Sequence, residues 1–167
     1  QPFFTIAAHQ NNPEHAPRWT DPYQDPAGTG LIVTLSTPIY SSTGIFKGVI
    51  SADIQLSKIS ESISQIMLGE RGFSFLVDKN GHILAMPQQG YEIFGLQPEE
   101  IPMNESPKQT ILGSGPEDLQ SIAQLIVSGE TGLTTAQING VENYIATAPL
   151  NTTEYRLAVF APSSELN

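Results

Sequence analysis

The chain has 167 residues, 39% of them hydrophobic and 14% charged, enough for one ordinary core or two small ones. Seven Lys and Arg against 17 Asp and Glu leave a net charge of −10, which argues against a nucleic-acid surface and disfavours an anionic membrane leaflet. With no cysteine there is no disulfide, thiolate metal site or cysteine nucleophile.

The chain opens at Gln1 without Met or a signal peptide, and no apolar run approaches the roughly 18 residues of a membrane span. On this reading the chain is expected to be an excised fragment, with any anchors lying outside it. A Pro- and Asn-rich stretch follows, with Glu14 between His9 and His15; a six-residue gap in such a loop makes a poor metal site, and no metal is expected. Trp19-Thr20-Asp21-Pro22-Tyr23-Gln24-Asp25 reads as extended. Tyr23 and Asp25, two apart, then project from one face.

Residues 31–40 and 46–54 read as strands joined by a tight turn, and Asp53 falls near the end of the second. A phenol and two carboxylates on one side of a small sheet make an acceptor-rich pocket suited to an ammonium group. The competing reading is local: Asp25 before Pro26 turns the chain, Tyr23 packs, and Asp53 caps a helix.

That helix is expected from residue 55, with apolar positions at Leu56, Ile59, Ile63, Ile66 and Met67. Residues 72–87 read as a β-hairpin around Asp78-Lys79-Asn80-Gly81, with Gly81 suited to the left-handed position. Residues 88–114 are rich in Gln, Pro, Gly and Ser and read as loop, with one short helical turn around Tyr91 to Phe94. A helix follows from Pro116, with Glu117 and Asp118 at its positive end, Leu119, Ile122, Ala123, Leu125 and Ile126 as its stripe, and Gly129 as its stop.

Shifting the sequence by 111 lays residues 31–40 on 142–151 and residues 46–54 on 157–165, with turns coinciding between them. Each copy reads as three antiparallel strands, so two homologous units are expected. At this offset Asp53 becomes Ser164, so the second unit lacks the acidic anchor. Tyr144 and Thr147, with Asp78, are the residues left to line a pocket there. We expect that unit to transmit rather than bind. Its matching hairpin in the first unit falls before Gln1, which leaves apolar positions such as Ile32, Leu35 and Val49 partly exposed or covered by a partner.

Trp19 to Asp25, Val33-Thr34, Pro38, residues 44–49 and Asp53-Ile54 resemble the end of the membrane-distal module of a double Cache sensor domain. Residues 72–81, Ala85-Met86-Pro87 and Gly90-Tyr91 resemble the start of the membrane-proximal module, and residues 155–162 with Glu165-Leu166 its exit strand. The resemblance covers nearly the whole chain. It implies an α+β, PAS-like fold: a five-stranded antiparallel sheet with flanking helices, preceded by the C-terminal three strands of a second such unit. The divisions implied are residues 1–54 for the distal part, 55–71 for a connecting helix and 72–167 for the proximal unit.

The function implied is extracytoplasmic ligand sensing for a transmembrane signalling receptor, such as a histidine kinase of a two-component system or a chemoreceptor. It needs no cofactor, and its membrane anchors lie outside this chain. A small-molecule ligand is the expected partner, and a homodimer is compatible with the plan. Amino-acid sensors of this family place a Tyr-x-Asp and a later Asp around the ligand ammonium, positions matched here by Tyr23, Asp25 and Asp53. They hold the carboxylate with an upstream Arg-x-Trp-Tyr; Gln1-Pro2-Phe3-Phe4 stands in that place, so the bidentate anion clamp is gone. Phe3, Phe4 and Trp19 offer aromatic faces to a cation, and Arg18 is a candidate substitute for the lost Arg. A small amine fits this pattern better than an amino acid does. Removing Asp53 from a buried charge pair would then cost roughly 2–5 kcal/mol in amine affinity.

Enzyme readings find little support. His9, His15 and His82 are scattered, no HExxH or paired-carboxylate helix is present, and Gly113-Ser114-Gly115 lacks the Lys and Ser/Thr of a phosphate loop. The alternative to sensing is a PAS-like spacer used only for dimerisation or protein docking.

Overall fold

The computed structural model describes residues 1–64, 69–150 and 153–166. Ile66, Met67, Asn151 and Thr152, used in the reading of helix and repeat, lie outside them. Two compact units divide the chain: Gln1–Ser57 with Ile101–Pro107, and Lys58–Glu100 with Lys108–Asn167.

The first unit begins with helix α1 (Pro2–Ala7), where Pro2 fits the first turn because its missing N–H has no helical partner there. Four strands follow: β1 (Arg18–Trp19), β2 (Tyr23–Gln24), β3 (Leu31–Tyr40) and β4 (Phe46–Gln55). The first expected strand is therefore two short pieces, both pairing antiparallel with β3. Pro22 lies between them and has no N–H for the ladder. β4 pairs β3 over its whole length, with the register shifting between Ile39 and Tyr40.

Ile32 is buried, at 2% exposure, and not partly exposed as expected. Tyr23 of β2 sits directly opposite it and covers it. Leu35 and Val49 are half-buried. The large apolar side chains exposed on the described strands of this sheet are Trp19, Ile39, Ile50 and Ile54. The register places all four on one face of the sheet, opposite the face of Tyr23 and Thr34.

Helix α2 (Leu56–Ser64) follows β4 directly, and Leu56 and Ile63 of its expected stripe are buried. In the second unit, β5 (Phe73–Val77), β6 (Ile83–Ala85), β7 (Gly132–Ile138), β8 (Val141–Pro149) and β9 (Arg156–Pro162) form one antiparallel sheet in the order β6-β5-β9-β8-β7. Helix α3 (Gln88–Ile93) is the short helix expected in the crossover, and α4 (Glu117–Ser128) the long one. α4 buries Leu119, Ile122, Ala123 and Ile126, leaves Leu125 half-buried at the stripe's edge, and ends at Gly129 with φ 76°. The Asp78 carboxylate closes the β5–β6 turn on the N–H groups of Asn80 and His82, and Gly81 takes φ 81°.

Phe73, Phe75, Phe94, Ile145 and Phe160 fill the second core, with Phe73 stacked on Phe160 at 5.2 Å and Phe94 edge-on to Phe75 at 5.8 Å.

Candidate ligand-binding site

Alternation along β3 sends Ile32, Thr34, Ser36 and Pro38 to the buried face of the first sheet. Pairing adds Tyr23 opposite Ile32, Ser51 opposite Ser36, and Asp53 opposite Thr34. Two of these four core-facing β3 positions are thus hydroxyl residues, and each is hydrogen-bonded across the sheet. Ser36 Oγ and Ser51 Oγ lie 3.0 Å apart. Thr34 Oγ1 donates to Asp53 Oδ1 at 2.7 Å and stands 2.8 Å from the Tyr23 hydroxyl. The Thr34 N–H is held by Thr20 Oγ1 at 3.0 Å.

Tyr23 is 2% exposed. Burial raises its pKa above the ordinary tyrosine value; the Thr34 hydrogen bond opposes the rise, and the charges of Asp53 and Asp25 add to it. The phenol therefore keeps its proton at neutral pH. Asp53 lies on exposed β4 and remains open to solvent.

A cavity of about 380 Å³ opens beside Tyr23, within the roughly 300–1,000 Å³ typical of small-molecule sites. Thr5, Asn11, Thr20, Asp21, Tyr23 and Ser106 give it polar walls, and Pro2 and Ile6 of α1 an apolar one. Among these lining residues there is one carboxylate and no Lys or Arg. Ser106 comes from the segment 101–107, which is fastened to β2: Gln24 N–H donates to Glu105 O and Asn104 N–H to Gln24 O, both at 2.9 Å.

The six residues read from sequence separate into two groups. Tyr23 and Asp53 come together through Thr34. Asp25 instead engages its own turn, accepting from the Ala27 N–H at 2.9 Å and from the Thr29 hydroxyl, which hold its pKa below the usual carboxylate value. Trp19 pairs with Leu35 on the opposite sheet face and is 48% exposed. Phe4 is also exposed and meets Phe46 edge-on at 6.3 Å, and neither it nor Phe3 is among the cavity's lining residues. Arg18 is taken by Glu14 at 2.9 Å and lies outside that lining as well. His9 bonds Tyr40 at 3.1 Å and His15 stacks on the same ring at 4.1 Å. Among the described residues no three His, Asp or Glu side chains are grouped to hold a metal ion.

In the second unit the residues proposed to line a pocket do not converge. Asp78 is bound into its turn with His82, Thr147 donates to Glu130 O, and Tyr144 and Thr147, an odd number apart on β8, face opposite sides. Aligned by the repeat on β3 and β8, Ile145 stands where the first unit has Thr34. Opposite Ile145 in the register is Phe160, where the first unit has Asp53. The offset of 111 put Ser164 at that place. The register sets Phe160, not Ser164, opposite Ile145, so the offset of 111 does not carry into the last strand. The same positions are thus polar in one unit and solid apolar core in the other.

Sequence reasoning missed Thr34, Thr20, Asp21, Asn11 and Ser106. Thr20 and Asp21 lay inside the stretch singled out, and strand alternation with register could have paired Thr34 with Asp53. Nothing in the sequence pointed to Ser106.

A family model described as Cache domain matches residues 2–167. The chain is 25% identical over 166 residues to the human voltage-dependent calcium channel subunit alpha-2/delta-2, covering 87% of this chain and 14% of that protein. It is 35% identical over 94 residues to the methyl-accepting chemotaxis protein McpC of Bacillus subtilis, covering 56% and 14%. In fold it resembles the extracellular domain of the putative histidine kinase mmHK1S-Z2, with TM-score 0.65, 19% identity, and 99% of this chain and 56% of that one covered. It also resembles the ligand-binding domain of Mlp24 with asparagine, with TM-score 0.63, 17% identity, and 98% and 56% covered. The chain spans about one seventh of these curated relatives and about half of these solved chains.

Proposed function

The chain belongs to the Cache domain family, and on that premise we propose that it serves as the extracytoplasmic ligand-sensing domain of a transmembrane signalling receptor. The first unit binds a small cationic amine or an amino-acid-like molecule through its ammonium group. The second unit binds nothing and carries the signal toward an output domain outside this chain.

The observation that carries this reading is the contrast between homologous positions. Thr34 and Asp53 border the buried phenol of Tyr23, whereas Ile145 and Phe160 close the second core. A protein that needed only packing would gain by filling both sites with apolar groups, since a polar group in a core costs stability unless fully satisfied. The walls around the cavity offer acceptors and hydroxyls with one carboxylate and no cationic side chain, a set suited to an N–H-rich cation. The asparagine bound to Mlp24 supports the same ligand class. Loss of the upstream Arg argues that a ligand carboxylate is not clamped here. No helix among the described residues is long and apolar enough to cross a membrane; the receptor's spans belong to other segments.

A thermal-shift panel of amino acids, simple amines and small carboxylates tests this. A ligand at 100 times its Kd stabilises by about 2.7 kcal/mol, so amines should raise the midpoint while carboxylates alone should not. A shift confined to carboxylates, or none across the panel, would overturn the reading.

A further inference from the structure

We propose that Thr34 sets the charge preference of the cavity by fixing the direction of the Tyr23 hydroxyl. This rests on the amine reading above and adds a residue that does not itself reach the cavity.

The available protons fix the donor at each of these contacts. A carboxylate only accepts, so in the 2.7 Å contact with Asp53 Oδ1 the hydroxyl proton of Thr34 is committed to Asp53. Thr34 has no second proton to give. In the 2.8 Å contact between Tyr23 and Thr34 the phenol must therefore be the donor. The relay runs one way, from Tyr23 to Thr34 to Asp53. Thr34 is fully buried, and its backbone N–H and C=O are both tied to Thr20 at 3.0 Å, which holds the residue in place beneath Tyr23 and Asp53.

Tyr23 is one of the cavity's lining residues, and with its proton turned inward the phenol oxygen offers a ligand that reaches it only lone pairs. An ammonium N–H meets an acceptor there, and a carboxylate oxygen meets another acceptor and is repelled. Without the relay, the same phenol could rotate and donate to an anion. Thr34 thus acts on ligand choice through Tyr23, as a positioning residue. The second unit, with Ile145 at the equivalent place, has no such device.

The test uses two probes of matched chain length and opposite charge, butylamine and butanoate, titrated calorimetrically into the full protein. The parent should prefer butylamine. Thr34→Val, similar in shape but without the hydroxyl, should lose about tenfold of the butylamine-to-butanoate ratio, while Thr34→Ser, which restores the hydroxyl, should keep the ratio within about threefold. A purely structural Thr34 would weaken both probes alike and leave the ratio unmoved, and that result overturns the proposal. Should Thr34→Val fail to fold, Tyr23→Phe removes only the phenol oxygen and must cost the same preference; an unchanged ratio there also overturns it. A parent that binds no butylamine sinks the amine reading, and this inference with it. A parent that binds butylamine with a Thr34→Val ratio unchanged sinks only the role of Thr34.

Discussion

Arg71 and Glu165, 94 residues apart, close a ring in the second unit: Arg71 Nε donates to Glu165 Oε1 at 2.6 Å and the Arg71 backbone N–H to Oε2 at 3.0 Å. Arg71 stands just before β5 and Glu165 just after β9, and these two strands are neighbours in the sheet. The pair ties the entrance of the unit to its exit. Gly69 belongs to the same clasp, since a Cβ there would come 2.2 Å from Glu165 Oε2.

This clasp makes a pH prediction. Arg71, through its side chain and its backbone N–H, holds the Glu165 pKa below the usual glutamate value. A depressed carboxyl pKa contributes stability that is present above the unfolded value and is lost as pH falls through the folded one. Thermal midpoints should therefore fall below about pH 4.5, and Glu165→Gln should start lower at pH 7 while falling less steeply on acidification. Parallel midpoint curves for parent and Glu165→Gln between pH 7 and 3 would remove the clasp from the account.

Gly129 supplies a second prediction. It ends α4 at φ 76°, and an added Cβ would lie 2.6 Å from Arg156 Nε. Gly44 has φ 78° with open space around it. Left-handed backbone costs a non-glycine residue about 1–2 kcal/mol, which both Gly44→Ala and Gly129→Ala should incur. Only Gly129→Ala must also push Arg156 aside. Calorimetry should show Gly44→Ala lowering the midpoint by roughly 2–8 °C and Gly129→Ala by clearly more. Equal drops would mean that Arg156 yields freely.

Much of this fold was legible because its cues are local. Gly129 after an apolar stripe, Gly81 in Asp-Lys-Asn-Gly, and the apolar strand before that turn each speak through a few neighbouring residues. The strands read as the second copy, β8 and β9, start 110 residues after β3 and β4, one short of the offset read from the sequence. What stayed hidden depends on pairing. Register decides that Trp19 faces away from Tyr23, and Thr34 gained meaning only once it stood opposite Asp53. Asp25 illustrates the limit differently: a spacing of two put it on the right face, but an Asx turn offered its carboxylate nearer donors.

The acidic residues around Tyr23 give the last prediction. From sequence, Asp53 looked like one member of a buried charge pair. In the structure its carboxylate is open to solvent on β4, and exposed pairs are worth only about 0.2–1 kcal/mol. Asp53→Ala should then weaken amine binding by at most about fivefold, well short of the loss expected for a buried pair. Asp25→Asn should change binding by less than about twofold, because its carboxylate serves the turn through Ala27 and Thr29. Calorimetric titration of butylamine into each variant checks both. A loss of a hundredfold or more in Asp53→Ala would mean that the bound ligand shields this carboxylate from water, so that the open edge of β4 closes in the complex. A loss in Asp25→Asn matching that in Asp53→Ala would return Asp25 to the ligand's own shell.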